Sequence, residues 1–203
     1  MTRLLELFSG TGSVAKVAVD YGYTVISVDI TSKLSTVTHE VDILTWDYAG
    51  QYPPDYFDVV WASPPCRTFS SMRALRIPKE QRDREIETLG IPLLRKAEEI
   101  IEYFKPKHYF IENPQTGKMK EYLKHRPHYD VDYCQYCDWG YKKRTRIWTN
   151  VTGFNAKLCD KKCPRFTDNK HSCFIGDNTK KLSELYRVPP NLISALLQVS
   201  ANA

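Results

Sequence analysis

The chain is built from short apolar segments, each ended abruptly by a small, acidic or proline residue. Leu4 to Phe8 is apolar apart from Glu6 and runs into Ser9-Gly10-Thr11-Gly12-Ser13. Val14 to Asp20 then has helical spacing, Tyr23 to Val28 is a second extended run ending at Asp29, and Thr38 to Ile43 is a third. Asp58-Val59-Val60-Trp61 has no polar face, the pattern of a strand buried on both sides, and Lys107 to Ile111 repeats it ahead of Glu112-Asn113-Pro114. Such strands alternating with helical stretches predict an α/β fold with a mostly parallel sheet. Helical periodicity also covers Glu85 to Phe104, with Pro92 at a bend or restart, then Leu182 to Tyr186 and Pro189 to Val199. Tyr129 to Tyr136 and Thr145 to Asn150 read as a C-terminal antiparallel hairpin through Asp138-Trp139-Gly140-Tyr141. No repeat or linker interrupts 1–203, so a single domain is expected.

Composition refines this picture modestly. The 203 residues are 42% hydrophobic and 26% charged, ordinary for a soluble globular chain, and no apolar run reaches membrane-spanning length. Met1-Thr2-Arg3-Leu4-Leu5 leads straight into a strand, so the expectation is an intracellular, reducing location without a secretory signal. The six cysteines are then not a disulfide framework. Cys134-x-x-Cys137, Cys159-x-x-x-Cys163, His171 and Cys173 could supply four zinc ligands, but Cys134 falls in a predicted strand where packing accounts for it. No metal is assigned. Net charge is +5, and Lys142-Lys143-Arg144-Thr145-Arg146 lies between Tyr141 and Trp148, as phosphate-and-base surfaces often do. The polar stretch to about Arg84, with Ser70, Ser71, Arg73, Arg76 and Lys79, is expected to be a mobile basic loop over a site.

Candidate chemistry gathers at the strand tips. The glycine turn lets backbone approach a ligand and opens a helix whose dipole favours anions. Val14 and Ala15 occupy the place of the third glycine of a dinucleotide fingerprint, so a nicotinamide cofactor fits poorly. Asp29, about twenty residues past the turn, is placed for ribose hydroxyls, and Asp42 on the same rim for an adenine amino group. Pro64 and Pro65 end their strand and fix the direction of Cys66, which stands beside Arg67. A thiol there is where an α/β sheet presents a nucleophile, although an isolated cysteine after a proline turn is equally at home in a core. A second tip, Glu112, converges on the same rim.

The ordered set Leu7-Phe8-Ser9-Gly10-Thr11-Gly12, Ser63-Pro64-Pro65-Cys66, Ile111-Glu112-Asn113-Pro114 and Arg144-Thr145-Arg146 resembles the DNA cytosine-5 methyltransferases. It is most similar to the small single-domain members of phages and large DNA viruses, and Leu185-Tyr186-Arg187-Val188-Pro189-Pro190-Asn191-Leu192-Ile193 matches their C-terminal segment. The resemblance implies a Rossmann-like class I methyltransferase fold with S-adenosylmethionine in a pocket formed by Phe8, Ser9, Gly10, Thr11, Gly12, Asp29, Ile30, Asp42, Ile43, Ser63 and Pro64. It implies double-stranded DNA as partner with a flipped cytosine, Cys66 as nucleophile, and Glu112 as the acid at N3 with Asn113 supporting it. Arg146 would contact the base carbonyl, with Arg144 its neighbour. Residues 150–180 would be a reduced target-recognition insert, and a monomer or weak dimer is expected. Lys142 stands where the family has glutamine, and Pro114 where it has valine. Three other readings stay open: the same chemistry on RNA, amino-group methylation through Ser63-Pro64-Pro65, and an inactive binding relative. Cys66 in place of an aromatic residue speaks against the second, and the intact Cys66, Glu112 and Arg146 against the third.

Overall fold

A computed structural model describes residues 1–71, 76–173 and 181–201. Arg73, part of the expected basic loop, lies outside the described residues. One seven-stranded sheet has the order β3-β2-β1-β4-β5-β7-β6. Its strands are β1 (Arg3–Leu7), β2 (Thr24–Asp29), β3 (His39–Glu40), β4 (Val59–Ala62), β5 (His108–Pro114), β6 (His128–Asp132) and β7 (Arg144–Thr149). β3, β2, β1, β4 and β5 pair in parallel, and β7 lies antiparallel between β5 and β6. This is the doubly wound order with one reversed strand inserted between the fifth and sixth positions, in agreement with the expected α/β class.

Alternation along the central strands divides the core in two. Leu4, Val59, Trp61 and Phe110 point to one face, where α1 (Ser13–Asp20) and α7 (Pro190–Ala201) cover them with Val14, Val17, Ala18, Leu192, Ile193 and Leu196. Leu5, Leu7, Val60, Ala62 and Ile111 point to the other, under Leu94, Ala97, Ile100, Ile101 and Phe104 of α4 (Ile91–Phe104). β4 is buried at every position, as its unbroken apolar pattern requires. Each fully buried side chain of Leu or Phe size contributes roughly 1.5–3 kcal/mol.

Three elements differ from expectation. The third strand shrinks to His39–Glu40 because Asp42 Oδ1 accepts the Leu44 N–H at 3.0 Å, a local turn that competes with the ladder. The strand expected to reach Tyr136 ends at Asp132, where Tyr133–Gln135 winds into a 3-10 turn and residues 133–143 form a longer connection than the tight turn expected. The basic loop is also shorter: α3 (Lys79–Glu85) begins within it, with a Lys79–Asp83 ion pair of 2.7 Å one turn apart, and a π-helical turn, Ile86–Gly90, carries the chain into α4. Short helices α2 (Tyr48–Gln51), α5 (Met119–Tyr122) and α6 (Leu182–Tyr186), and a separate hairpin of β8 (Phe166–Thr167) and β9 (Lys170–His171), complete the described chain. No helix among the described residues is long and apolar enough to cross a membrane.

Candidate active site

The carboxyl ends of β1, β2, β4 and β5 surround a cavity of about 320 Å³. Its lining includes Phe8, Ser9, Gly10, Thr11, Asp29, Ile30, Asp42, Ile43, Ser63, Pro64, Cys66 and Glu112, nearly the whole set expected from the sequence. Gly12 is absent from it. Its φ of 63° instead turns the chain into α1 as the residue before the first turn, and an added Cβ would meet Ser35 Oγ at 3.2 Å. Phe8 is also left-handed, at φ 58°, a strain of about 1–2 kcal/mol held by the packed sheet beneath it. Asp29 Oδ2 accepts the Gly10 N–H at 2.8 Å and Oδ1 the Thr31 N–H at 3.1 Å, so one carboxylate fixes the glycine turn and the tip of β2 together. Tyr186 and Val188 close the cavity from the C-terminal segment, and the Val188 N–H reaches Ser13 Oγ at 3.2 Å.

The loop after β4 is pinned rather than free. The Phe69 N–H donates to the Cys66 carbonyl at 3.2 Å, and the Phe69 carbonyl accepts from the Lys118 N–H at 2.9 Å. Phe69 is buried against the π-turn, where a Cβ on Gly90 would come within 2.7 Å of Thr68 Oγ1 and 2.9 Å of the Phe69 ring. Gly90 thus permits the close packing that holds Cys66 at the cavity. Asn113 Nδ2 donates to the Pro64 carbonyl at 2.8 Å and ties the β4 and β5 tips together. Burial pushes the Cys66 thiol up from its ordinary range; Lys143 acts in the opposite sense and Glu112 adds to the rise.

Period-two alternation puts Glu112 on the α1 face with Ile147 opposite it. There the Tyr133 hydroxyl donates to Glu112 Oε1 at 3.0 Å, and Lys143 Nζ lies 4.0 Å from the same oxygen and 4.8 Å above the Tyr133 ring. The same alternation sends Arg144 and Arg146 to the opposite face. They are expected at the base but do not line the cavity. Each instead pairs bidentately with the aspartate directly across β6, Arg144 with Asp132 at 2.9 and 2.7 Å and Arg146 with Asp130 at 2.6 and 2.9 Å. Lys142 Nζ is also 3.7 Å from Asp132, so most of the basic run is neutralised within the fold.

Three contributors were not assigned from the sequence. Lys143 was hidden inside a charge run. Tyr133 was hidden by a strand assignment that the 3-10 turn replaces. Glu6 read only as a blemish in an apolar strand. It shares the face of Leu4, beneath α1, and accepts the N–H groups of Val14 and Ala15 at 3.2 and 3.1 Å and the Ser9 hydroxyl at 3.1 Å. Desolvation lifts its carboxyl to about 7 against the pull of those donors. A lone acidic residue in a buried strand seven residues before a helix start was the available signal.

A parallel sheet with a reversed seventh strand, a glycine turn at the first strand tip and an acidic second tip together define a class I methyltransferase fold. Solved structures agree on the fold. An E. coli protein described as a "putative DNA modification methyltransferase encoded within prophage" is similar at a TM-score of 0.53 and 14% identity, over 79% of this chain and 52% of that one. The Entamoeba histolytica methyltransferase EhMeth is similar at 0.50 and 16% identity, over 78% and 56%. The chain therefore spans about half the length of these solved relatives. The sequence profile of the C-5 cytosine-specific DNA methylases matches residues 2–124. A Frog virus 3 protein named "Probable DNA (cytosine-5)-methyltransferase" is 45% identical over 97% of this chain and 99% of its own length. The chain belongs to the C-5 cytosine-specific DNA methylase family.

Proposed function

We propose that the chain methylates C5 of cytosine in DNA through a covalent bond between Cys66 and C6 of a base rotated out of the duplex. The observation that carries this reading is that Cys66 and Glu112 face one cavity shared with the glycine turn, the tips of β4 and β5 being joined by the Asn113–Pro64 hydrogen bond. The residues fit a nucleoside-bearing methyl donor: Val28, Ile30, Val41 and Ile43 make apolar walls, Asp29 and Asp42 offer acceptors at the rim, and the volume lies in the range of small-molecule sites. S-adenosylmethionine, when bound there, supplies the electrophilic methyl group.

Cytosine C5 is a weak nucleophile until a group adds at C6. The Cys66 thiol first loses its proton to solvent, assisted by the Lys143 cation that opposes its burial. The sulfur then forms a bond to C6, the C5–C6 π pair shifts to C4–C5, and the displaced C4–N3 π pair takes a proton from Glu112 at N3. Tyr133 and Lys143 engage Glu112 Oε1, which leaves Oε2 for the base. C5 takes the methyl group and N3 returns its proton to Glu112; the C5 proton then leaves to solvent, and the C5–H electron pair re-forms the C5–C6 double bond as the S–C6 bond breaks and releases the Cys66 thiolate. Residues 150–180 are the reduced target-reading segment in this account, and the target is short.

Two measurements test it. Cys66→Ala should lower methyl transfer by at least about 10⁴-fold and leave S-adenosylmethionine binding within about threefold. Duplex DNA carrying 5-fluorocytosine should form a covalent adduct with the native protein and none with Cys66→Ala. Turnover by Cys66→Ala overturns the nucleophile assignment. An adduct with 5-fluorocytosine RNA and none with DNA overturns the substrate.

A further inference from the structure

Away from the cavity, four side chains from three stretches of the chain meet. Cys134 lies in the turn after β6, Cys159 and Cys163 precede β8, and His171 ends β9. One ligand atom from each lies within 4.8 Å of all the others. Cys159 Sγ is 3.7 Å from Cys163 Sγ and 3.5 Å from His171 Nε2, and Cys163 Sγ is 3.4 Å from His171 Nε2. A tetrahedron with Zn–S bonds of about 2.3 Å and Zn–N bonds of about 2.0–2.1 Å has edges of about 3.8 Å between sulfurs and about 3.6 Å between sulfur and nitrogen. The three separations among Cys159, Cys163 and His171 match those edges, and Cys134 Sγ lies within 4.8 Å of each of the three. Thiols are weak hydrogen-bond partners, so three of them around an imidazole find little reason to converge in mutual hydrogen bonding.

The backbone is shaped to deliver these groups. Lys161, between the paired cysteines, is left-handed at φ 67°. Asp168 and Asn169, at φ 51° and 60°, form the tight turn that folds His171 back opposite Phe166. The Phe166 N–H donates to the Cys163 carbonyl at 2.9 Å, and its ring packs edge-on to His171 at 5.2 Å. Behind the cluster, the Cys159 N–H donates at 2.8 Å to Asp132 Oδ2, the same buried carboxylate that holds Arg144.

We propose that Cys134, Cys159, Cys163 and His171 bind one structural zinc ion. The ion takes three thiolate sulfurs, whose protons leave to solvent, and the lone pair of neutral His171 Nε2. Four protein ligands make a closed site with no position for a substrate. Its role is to fasten residues 150–173, whose only strands are two residues long, to the sheet edge that carries Tyr133 and Lys143. In so small a segment the metal replaces a hydrophobic core. Cys137 and Cys173 stand outside the set: Cys137 Sγ donates to the Tyr133 carbonyl at 3.1 Å, and the Cys173 N–H to the Gly140 carbonyl at 2.9 Å.

The test reads metal rather than catalysis. Full-length protein purified without chelator should carry about one zinc per chain by mass spectrometry of the metal. Cobalt added to stripped protein should give visible d–d bands with thiolate-to-cobalt charge transfer. Cys137→Ser combined with Cys173→Ser should keep the zinc, Cys163→Ser should lose it, and His171→Cys should retain it. Stripping the wild type should lower Tm by more than about 10 °C and expose 150–173 to protease, and zinc should reverse both. Less than about a tenth of an equivalent of zinc with no cobalt charge transfer overturns the proposal. So does a Cys159–Cys163 disulfide that persists under reducing purification, or equal metal loss in the Cys137→Ser/Cys173→Ser protein.

Discussion

At the β2–β1–β4 side of the sheet, each polar group that shapes the cavity sits within a few residues of the strand that positions it, or at the tip of the strand next door. Asp29 reaches one strand over to the glycine turn, and Glu6 reaches α1, the next element in the chain. At the β7–β6 side, position depends on groups far apart in sequence. Glu112 meets Tyr133 and Lys143, Asp132 gathers Arg144 and the Cys159 amide, and Cys134 meets Cys159, Cys163 and His171. The first side rests on apolar burial, which tolerates single polar changes at the rim. The second is held by paired charges and thiols, where removal of one partner strands another.

Asp132 is the sharpest place to break this contrast. Its carboxylate is fully buried and serves Arg144 and the Cys159 amide, so Asp132→Ala should cost about 3–5 kcal/mol in denaturant unfolding. Asp130, one pair along on the same strand and partly exposed, should cost only about 1 kcal/mol when changed to alanine. Equal losses would show that burial and the Cys159 contact add nothing to that side.

Glu6 probes the other side through pH. Its folded carboxyl titrates at about 7, above the ordinary 4.5, so the fold favours the neutral form. Its stabilising contribution is whole below about pH 4.5 and is lost as pH rises through about 7, a change of about 3 kcal/mol. Glu6→Gln, neutral throughout, should flatten the stability profile across that window in unfolding experiments at stepped pH. A profile with unchanged slope would place the titration elsewhere.

A smaller effect than at Glu6 is expected where the two sides meet. Lys143 opposes the rise of the Cys66 thiol caused by burial, so Lys143→Met should lower kcat/KM about tenfold near neutral pH and move the ascending limb of the rate profile to higher pH. A uniform loss without that displacement would make Lys143 a packing residue, with its ammonium serving Glu112, Tyr133 and the Leu185 carbonyl.

Much of the cavity could be read directly because its signals are local. Apolar runs predict buried strands, and a residue just past a strand end must lie at the sheet rim. Asp29, Cys66 and Glu112 follow in this way, whereas Phe8 and Ser63 come from the family resemblance. The arginines were misplaced because their motif specifies order but not face: register against β5 and alternation from Glu112 turn Arg144 and Arg146 away, and only pairing across β6 shows it. The pattern carries Cys134 into a predicted strand that reaches Tyr136, whereas the strand ends at Asp132, four residues earlier.

The sequence alone determined the α/β class, the parallel core and the meeting of a thiol and a carboxyl at one rim, since each follows from side-chain period and strand direction. The tertiary structure decided which cation faces Cys66, what steadies Glu112 and which four of the sulfur and imidazole groups converge. Those outcomes depend on contacts between segments distant along the chain, set by strand register and loop closure and carried by no local pattern.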